Sequence, residues 1–185
     1  MSSTFQAALD LRLIATELYS AGNKRGPLPA ELLSNIRMAT GTSDGQINKA
    51  WYKVYTGIGS STTTSIDLVG SLTDTSGDTV NFDEVVLIFI RNLSSTAANY
   101  LMVGPHATNG FGALASNRGF WADASDRSVI PADSTAASTG GGAFLLLYNV
   151  AGVAAAAGTS DILAIVTGGA ASGATWEILI LGRDN

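Results

Sequence analysis

The chain has 185 residues, no cysteine, one histidine, 15 acidic against 10 basic side chains and only 14% charged residues, where about a quarter is usual. The missing cysteine excludes disulfides, a thiol nucleophile, cysteine-bound zinc and iron–sulfur clusters, and the single histidine leaves any acid–base or metal chemistry to carboxylates. Few lysines and arginines argue against a nucleic-acid partner, while a hydrophobic fraction of 46% argues against disorder.

The charges divide the chain. Residues 1–60 carry six basic and four acidic side chains, a balance of +2, whereas residues 61–185 carry four basic and eleven acidic, a balance of −7. A basic arm joined to an acidic domain is expected, with the arm spanning 1–50 and the domain 51–185.

In the arm, Leu11, Ile14, Ala15, Leu18 and Tyr19 fit the stripe of an amphipathic helix, with Ser3 and Gln6 as a capping box and Gly22 as terminator. Leu9, Leu11, Leu13 and Ala15 equally share one face of a strand, so the segment over 4–20 reads as helical or extended. A second short helix is expected from Pro29, with Glu31 in its first turn and Leu32, Leu33 and Ile36 buried. Gly22, Gly26, Pro27 and Pro29 form the joint.

From Trp51 the pattern becomes short β-prone runs separated by Gly, Ser, Asn and Asp. Eight strands are expected: Trp51–Ile58, Ser65–Leu72, Val80–Asn92, Tyr100–Val103, Arg127–Ile130, Ala143–Asn149, Asp161–Val166 and Thr175–Leu181. The runs Val85–Ile90 and Phe144–Leu147 are apolar on both faces and read as central strands, or as strands facing a partner subunit. Trp51, Phe82, Phe89, Phe144 and Trp176 read as core, and the exposed strand faces as Ser/Thr-rich. The connection Ser71–Gly77 reads as a hairpin turn in which Asp74 accepts from backbone amides two residues on and Gly77 takes a left-handed conformation.

The most apolar run, residues 143–158, is interrupted by Asn149 and flanked by glycines, short of the roughly 20 apolar residues a bilayer helix needs. The N-terminal residues Met1–Gln6 lack a basic signal region. No membrane partner is expected, and the protein is expected to be made and kept in the cytoplasm until assembled.

No set of residues forms a catalytic constellation, so no enzyme activity and no cofactor is expected. His106 lies at a Gly-Pro-His turn and reads as a loop histidine. Asp123, Asp126 and Asp133 are oxygen donors around Trp121 but lack a calcium-loop spacing, and read as solvated loop carboxylates; no metal is expected. Asp83 and Glu84 point to opposite faces of a strand and mark its end. Phe111, Phe120 and Trp121 lie in a Gly/Asn/Ser-rich loop, where aromatic rings cap a domain, join subunits or stack on sugars.

The stretch Gly41-Thr42-Ser43-Asp44-Gly45-Gln46-Ile47-Asn48-Lys49, then Asp67-Leu68, Ser71-Leu72-Thr73-Asp74, and Gly77 to Phe82, resembles small virion-associated proteins of tailed bacteriophages. That group shares a pattern like G-T-G-x-G-Q-x-x-K followed by D-L-x-G-x-L-x-D-x-x-G, with Ser43 standing here where a glycine is usual. The later Val103-Gly104, Ser160 to Leu163 and Ile178 to Gly182 also fit. The resemblance covers about residues 40–182. It implies an all-β protein of the capsid or elsewhere in the particle with a variable N-terminal part, and with the eight expected strands the fold expected is mainly β, a jelly-roll-like antiparallel β-sandwich with an N-terminal arm. The resulting expectation is a capsid decoration or cement protein on the virion surface, with the major capsid protein and its own copies for partners, as a trimer because shells offer threefold sites. Leu11, Arg12, Tyr19, Lys24, Arg25, Phe120 and Trp121 are the candidate protein-interface residues. A neck, tail or baseplate component, and a carbohydrate-binding module using Phe120 and Trp121, are the alternatives.

Overall fold

The computed structural model of the chain describes residues 7–16, 29–74, 76–96, 98–112, 119–123, 125–132, 143–168 and 173–185, and for 7–16 and 29–37 it describes the backbone alone. Among these residues there is no helix. The strands are β1 (Ala7–Thr16), β2 (Pro29–Thr40), β3 (Gln46–Ile47), β4 (Lys49–Ile58), β5 (Thr63–Asp67), β6 (Leu72–Thr73), β7 (Thr79–Val80), β8 (Glu84–Asn92), β9 (Leu101–Pro105), β10 (Ser128–Ile130), β11 (Phe144–Ala154), β12 (Ile162–Thr167) and β13 (Ala174–Arg183). All eight expected strands are present with shifted ends, and the division expected at residue 50 falls inside β4.

The eight strands from β4 onward, leaving aside the small β6–β7 pair, form two antiparallel four-stranded sheets, ordered β11-β8-β13-β4 and β10-β9-β12-β5. Taken in chain order, the first pairs with the last, the second with the seventh, the third with the sixth and the fourth with the fifth. Trp51, Ile88, Ile90, Trp176, Ile178 and Ile180 from one sheet meet Ile66, Leu101, Val103, Ile130, Leu163 and Ile165 from the other in one buried cluster. Burying each such side chain contributes roughly 1.5–3 kcal/mol. Strict alternation along β13 accounts for this: Trp176, Ile178 and Ile180 enter the core, while Glu177 and Leu179 lie on the opposite face.

Buried polar groups hold the connections. The Asn92 side chain, fully buried, donates to the carbonyls of Asn99 at 2.8 Å and Pro131 at 3.2 Å and accepts from the Ser94 amide at 3.0 Å. The indole N–H of Trp51 donates to the Thr73 carbonyl at 3.0 Å. The expected turn is present: Asp74 accepts from the amides of Ser76 at 2.8 Å and Asp78 at 2.9 Å, Gly77 sits at φ +88°, and Leu72 pairs with Val80.

Two expectations about the arm are resolved. The segment read as helical or extended contains β1, and the helix expected from Pro29 is instead β2, antiparallel to β1 with Leu13 opposite Leu32 and Leu9 opposite Ile36. Cross-strand pairing outweighs the helix-start signal, and a proline that cannot donate to a ladder is accommodated as the first residue of a strand. β2 continues into a short parallel pairing with β3 through Ala39 and Thr40. The runs read as Ser65–Leu72 and Val80–Asn92 are each broken, the first before Leu72 and the second over residues 81–83, which make the corner between β7 and β8.

Candidate interaction surface

The sheet β11-β8-β13-β4 has a second face, turned away from the shared core. Register places three rows of four residues on it. The first row is Phe144, Arg91, Glu177 and Val54; the second is Leu146, Phe89, Leu179 and Tyr52; the third is Tyr148, Leu87, Leu181 and Ala50. Among the described residues the third row is covered at Leu87 and Leu181, which join Met38, Ile47 and Val86 in a separate buried cluster, and Leu146, Phe89 and Leu179 of the second row pack partly buried against it. Elsewhere the face is open: Phe144 is 55% exposed, Tyr52 52% and Tyr148, at the β11 end of the third row, 40%. Val54 and Val150 are exposed beside them.

Here the structure corrects the sequence reading. Phe144 was expected in the core, and the strand from Phe144 as central or as facing a partner subunit; β11 is an edge strand, and its pleat turns Phe144, Tyr148 and Val150 outward while Leu145 and Leu147 pack on the core. β8 is central, as expected. The Ser/Thr-rich surface occurs on β5, where Thr63 and Ser65 are exposed, but this outer face is apolar and aromatic instead.

One polar cluster crosses the face. Arg91 pairs with Glu177 at 2.7 Å, and the Tyr52 hydroxyl donates to the same carboxylate at 2.8 Å. That hydrogen bond, with lesser contributions from burial and the carboxylate charge, holds the Tyr52 hydroxyl above the ordinary tyrosine value of 10.0.

The base of the β1–β2 ribbon is fastened beside this face by a buried cation. The Arg183 guanidinium, 1% exposed, pairs with Glu84 at 2.7 Å and donates to the carbonyls of Ser43 and Ala151. Gly152, at φ +77°, makes the approach possible, because a Cβ there would stand 2.5 Å from Nη2 of Arg183. The Gln46 side chain accepts from the Ser43 amide at 3.0 Å, Asn48 exchanges two bonds with the Asp184 backbone, and Lys49 pairs with Asp184 at 3.0 Å. The Gly41–Lys49 motif is thus the clasp between the ribbon and the C-terminal strand.

Of the residues singled out from sequence, Leu11 and Arg12 lie in β1 opposite Ser34 and Leu33, and Tyr19, Lys24 and Arg25 lie outside the described residues. Phe120 is half-buried and Trp121 is 5% exposed. Their rings meet edge-to-face with centroids 6.0 Å apart, Phe120 meets Phe111 in the same manner, and the Trp121 indole donates to the Ser128 hydroxyl at 3.1 Å. The pair therefore closes one end of the core. His106 Nδ1 accepts from the Thr108 amide at 3.1 Å within its own turn. Asp123 accepts from the Ser125 amide and hydroxyl, which holds its carboxyl below the usual value, and Asp126 accepts from the Asp123 amide; Asp133 lies outside the described residues. Among the described residues no three His, Cys, Asp or Glu side chains converge as a metal site.

Sequence reasoning missed Tyr52, Val54, Tyr148, Val150 and Arg183. The apolar run beginning at Phe144 carried the usable signal, because an edge strand apolar on both faces needs a partner on each. No protein-family model, no curated protein and no solved structure matches the chain.

Proposed function

We propose that this protein is a structural, non-enzymatic component of a tailed-bacteriophage particle, a decoration protein that binds the assembled shell as an oligomer. Its two sheets are read as a β-sandwich of jelly-roll type. The first-with-last pairing of eight strands and the core common to both sheets support that reading, and such double-sheet folds recur in capsid and lectin domains.

The observation that carries the functional reading is the apolar outer face. The two open rows on four strands cover about 19 Å by 14 Å, a patch of a few hundred Å² crossed by the Arg91–Glu177 pair, and patches of that size on soluble proteins are often interaction sites. The motifs resembling virion-associated proteins supply the class of assembly, and the N-terminal arm supplies reach, extending contacts beyond one subunit. The glycan-binding alternative loses its motivation, since Trp121 and Phe120 are engaged in the core.

Antibody labelling of purified particles tests the proposal. Signal distributed over the whole shell is the expected result; signal confined to the neck or tail, or absent, overturns the decoration reading.

A further inference from the structure

Two apolar surfaces of this chain match each other. The first is the outer sheet face. The second is the β1–β2 ribbon, where register and alternation place Leu9, Leu11 and Leu13 on the same face as Ile36, Ser34 and Leu32. The opposite face carries Asp10, Arg12, Glu31, Asn35 and Arg37 together with Ile14 and Leu33. A two-stranded ribbon is marginally stable alone in water and needs something to cover its apolar side. Among the described elements the ribbon's main neighbours are its own two strands and β3.

We propose that the outer face of β11, β8, β13 and β4 is covered by the β1–β2 ribbon of a second copy of this chain, each subunit giving a ribbon and receiving one. The proposal rests on the oligomeric reading above and names the partner of its apolar face.

Dimensions agree. Ten paired residues extend about 33 Å, and two strands are about 10 Å wide, so the ribbon offers about 330 Å², and the two open rows, about 19 Å by 14 Å, receive about 270 Å². Giving and receiving, at about 270 Å² each, cover about 540 Å² per subunit and about 1,080 Å² in all, just above the roughly 1,000 Å² that a specific interface needs. Continuity points the same way. Met38, on the same ribbon face as Ile36, is already buried against Leu87 and Leu181 at one end of the sheet face. Pairing of Ala39 and Thr40 with β3 and the Arg183 clasp then fix the ribbon's departure, leaving the Phe144 and Leu146 rows for a neighbour.

The test uses the purified full chain without particles. Wild type is expected to sediment at a multiple of 18.9 kDa. Leu11→Glu, on the ribbon, and Phe144→Glu, on the exposed face, are each expected to fall to the single-chain mass with an unchanged melting temperature. Mixed in equal amounts, the two variants are expected to associate again, because one retains a good face and the other a good ribbon. Tyr148→Glu repeats the face arm independently. As the chain has no cysteine, Leu11→Cys and Leu146→Cys placed in one chain and treated with a short bis-maleimide report the connectivity, with a link between chains expected.

A single-chain mass for wild type, wild-type mass in either glutamate variant, or a link closing within one chain overturns the proposal. Shell binding is measured separately: its loss with self-association intact refutes the decoration reading alone, and its retention without self-association refutes only the ribbon exchange.

Discussion

Replacing Arg183 by methionine removes the charge that joins the ribbon base to the body while keeping most of the buried volume. Its guanidinium is 1% exposed and serves Glu84 at 2.7 Å together with the Ser43 and Ala151 carbonyls. Removing one partner of a buried ion pair costs about 3–5 kcal/mol. The Glu84 side chain retains 29% exposure, so water recovers part of its solvation. The Arg183 Nε is buried without a hydrogen bond, a penalty that methionine relieves. Both effects favour the lower end, about 3 kcal/mol, which for a domain of this size corresponds to a melting temperature lower by about 6–12 °C. Asp44, 3.8 Å away with a side chain 75% exposed, adds little, and Asp44→Asn is expected within about 0.5 kcal/mol of wild type. Scanning calorimetry of both variants gives the comparison, and limited proteolysis shows whether residues 41–47 open first. An Arg183→Met melting temperature within 2 °C of wild type would refute the clasp.

Other expectations concern separate parts of the molecule. Gly77→Val places a β-branched residue at φ +88° with no neighbour within 4 Å, so backbone strain alone is expected to cost about 1–3 kcal/mol, read as a lower urea midpoint with unchanged slope. Trp121→Ala empties a buried site and is expected to cost about 3–5 kcal/mol; loss of sugar binding with full stability would restore the glycan reading. Tyr52 and Tyr55 titrate above 10.0, the first through its bond to Glu177 and the second through burial. A folded-state value above the unfolded one gives stability that is complete below pH 10.0 and lost as pH rises through the folded values. Tyr52→Phe is therefore expected to flatten the alkaline fall in melting temperature. Deleting residues 1–40 is expected to abolish shell binding while the remaining β body keeps a cooperative unfolding transition.

Much of the body was legible because its signals are local. Apolar runs such as Val85–Ile90 mark strands by composition, and Asp74 with Gly77 marks a turn by chemistry acting within four residues. The ribbon was harder, because Pro29 and Glu31 carry a helix-start signal that only pairing with a strand about twenty residues earlier overrides. Phe144 was misread for a related reason: β propensity does not say whether a strand lies at an edge, which depends on a sheet order set by the whole chain. Arg183 gave no sequence signal at all, since its partners at 43, 84 and 151 are assembled by tertiary structure. The Gly41–Lys49 motif was noticed as a resemblance, and its physical meaning as a clasp emerged from the Ser43, Asn48 and Lys49 contacts.

Hydroxyl-radical footprinting of the assembled protein reads the covered face itself. Tyr52, Phe144 and Tyr148, which are 40–55% exposed in the single chain, are compared with Val129 on β10, which is 61% exposed and away from the face. Burial of the outer sheet predicts that the three aromatic residues are strongly protected at assembly concentrations and regain reactivity in the Leu11→Glu variant, while Val129 is unchanged throughout. Aromatic reactivity equal in both proteins, at the level their single-chain exposure dictates, would contradict it.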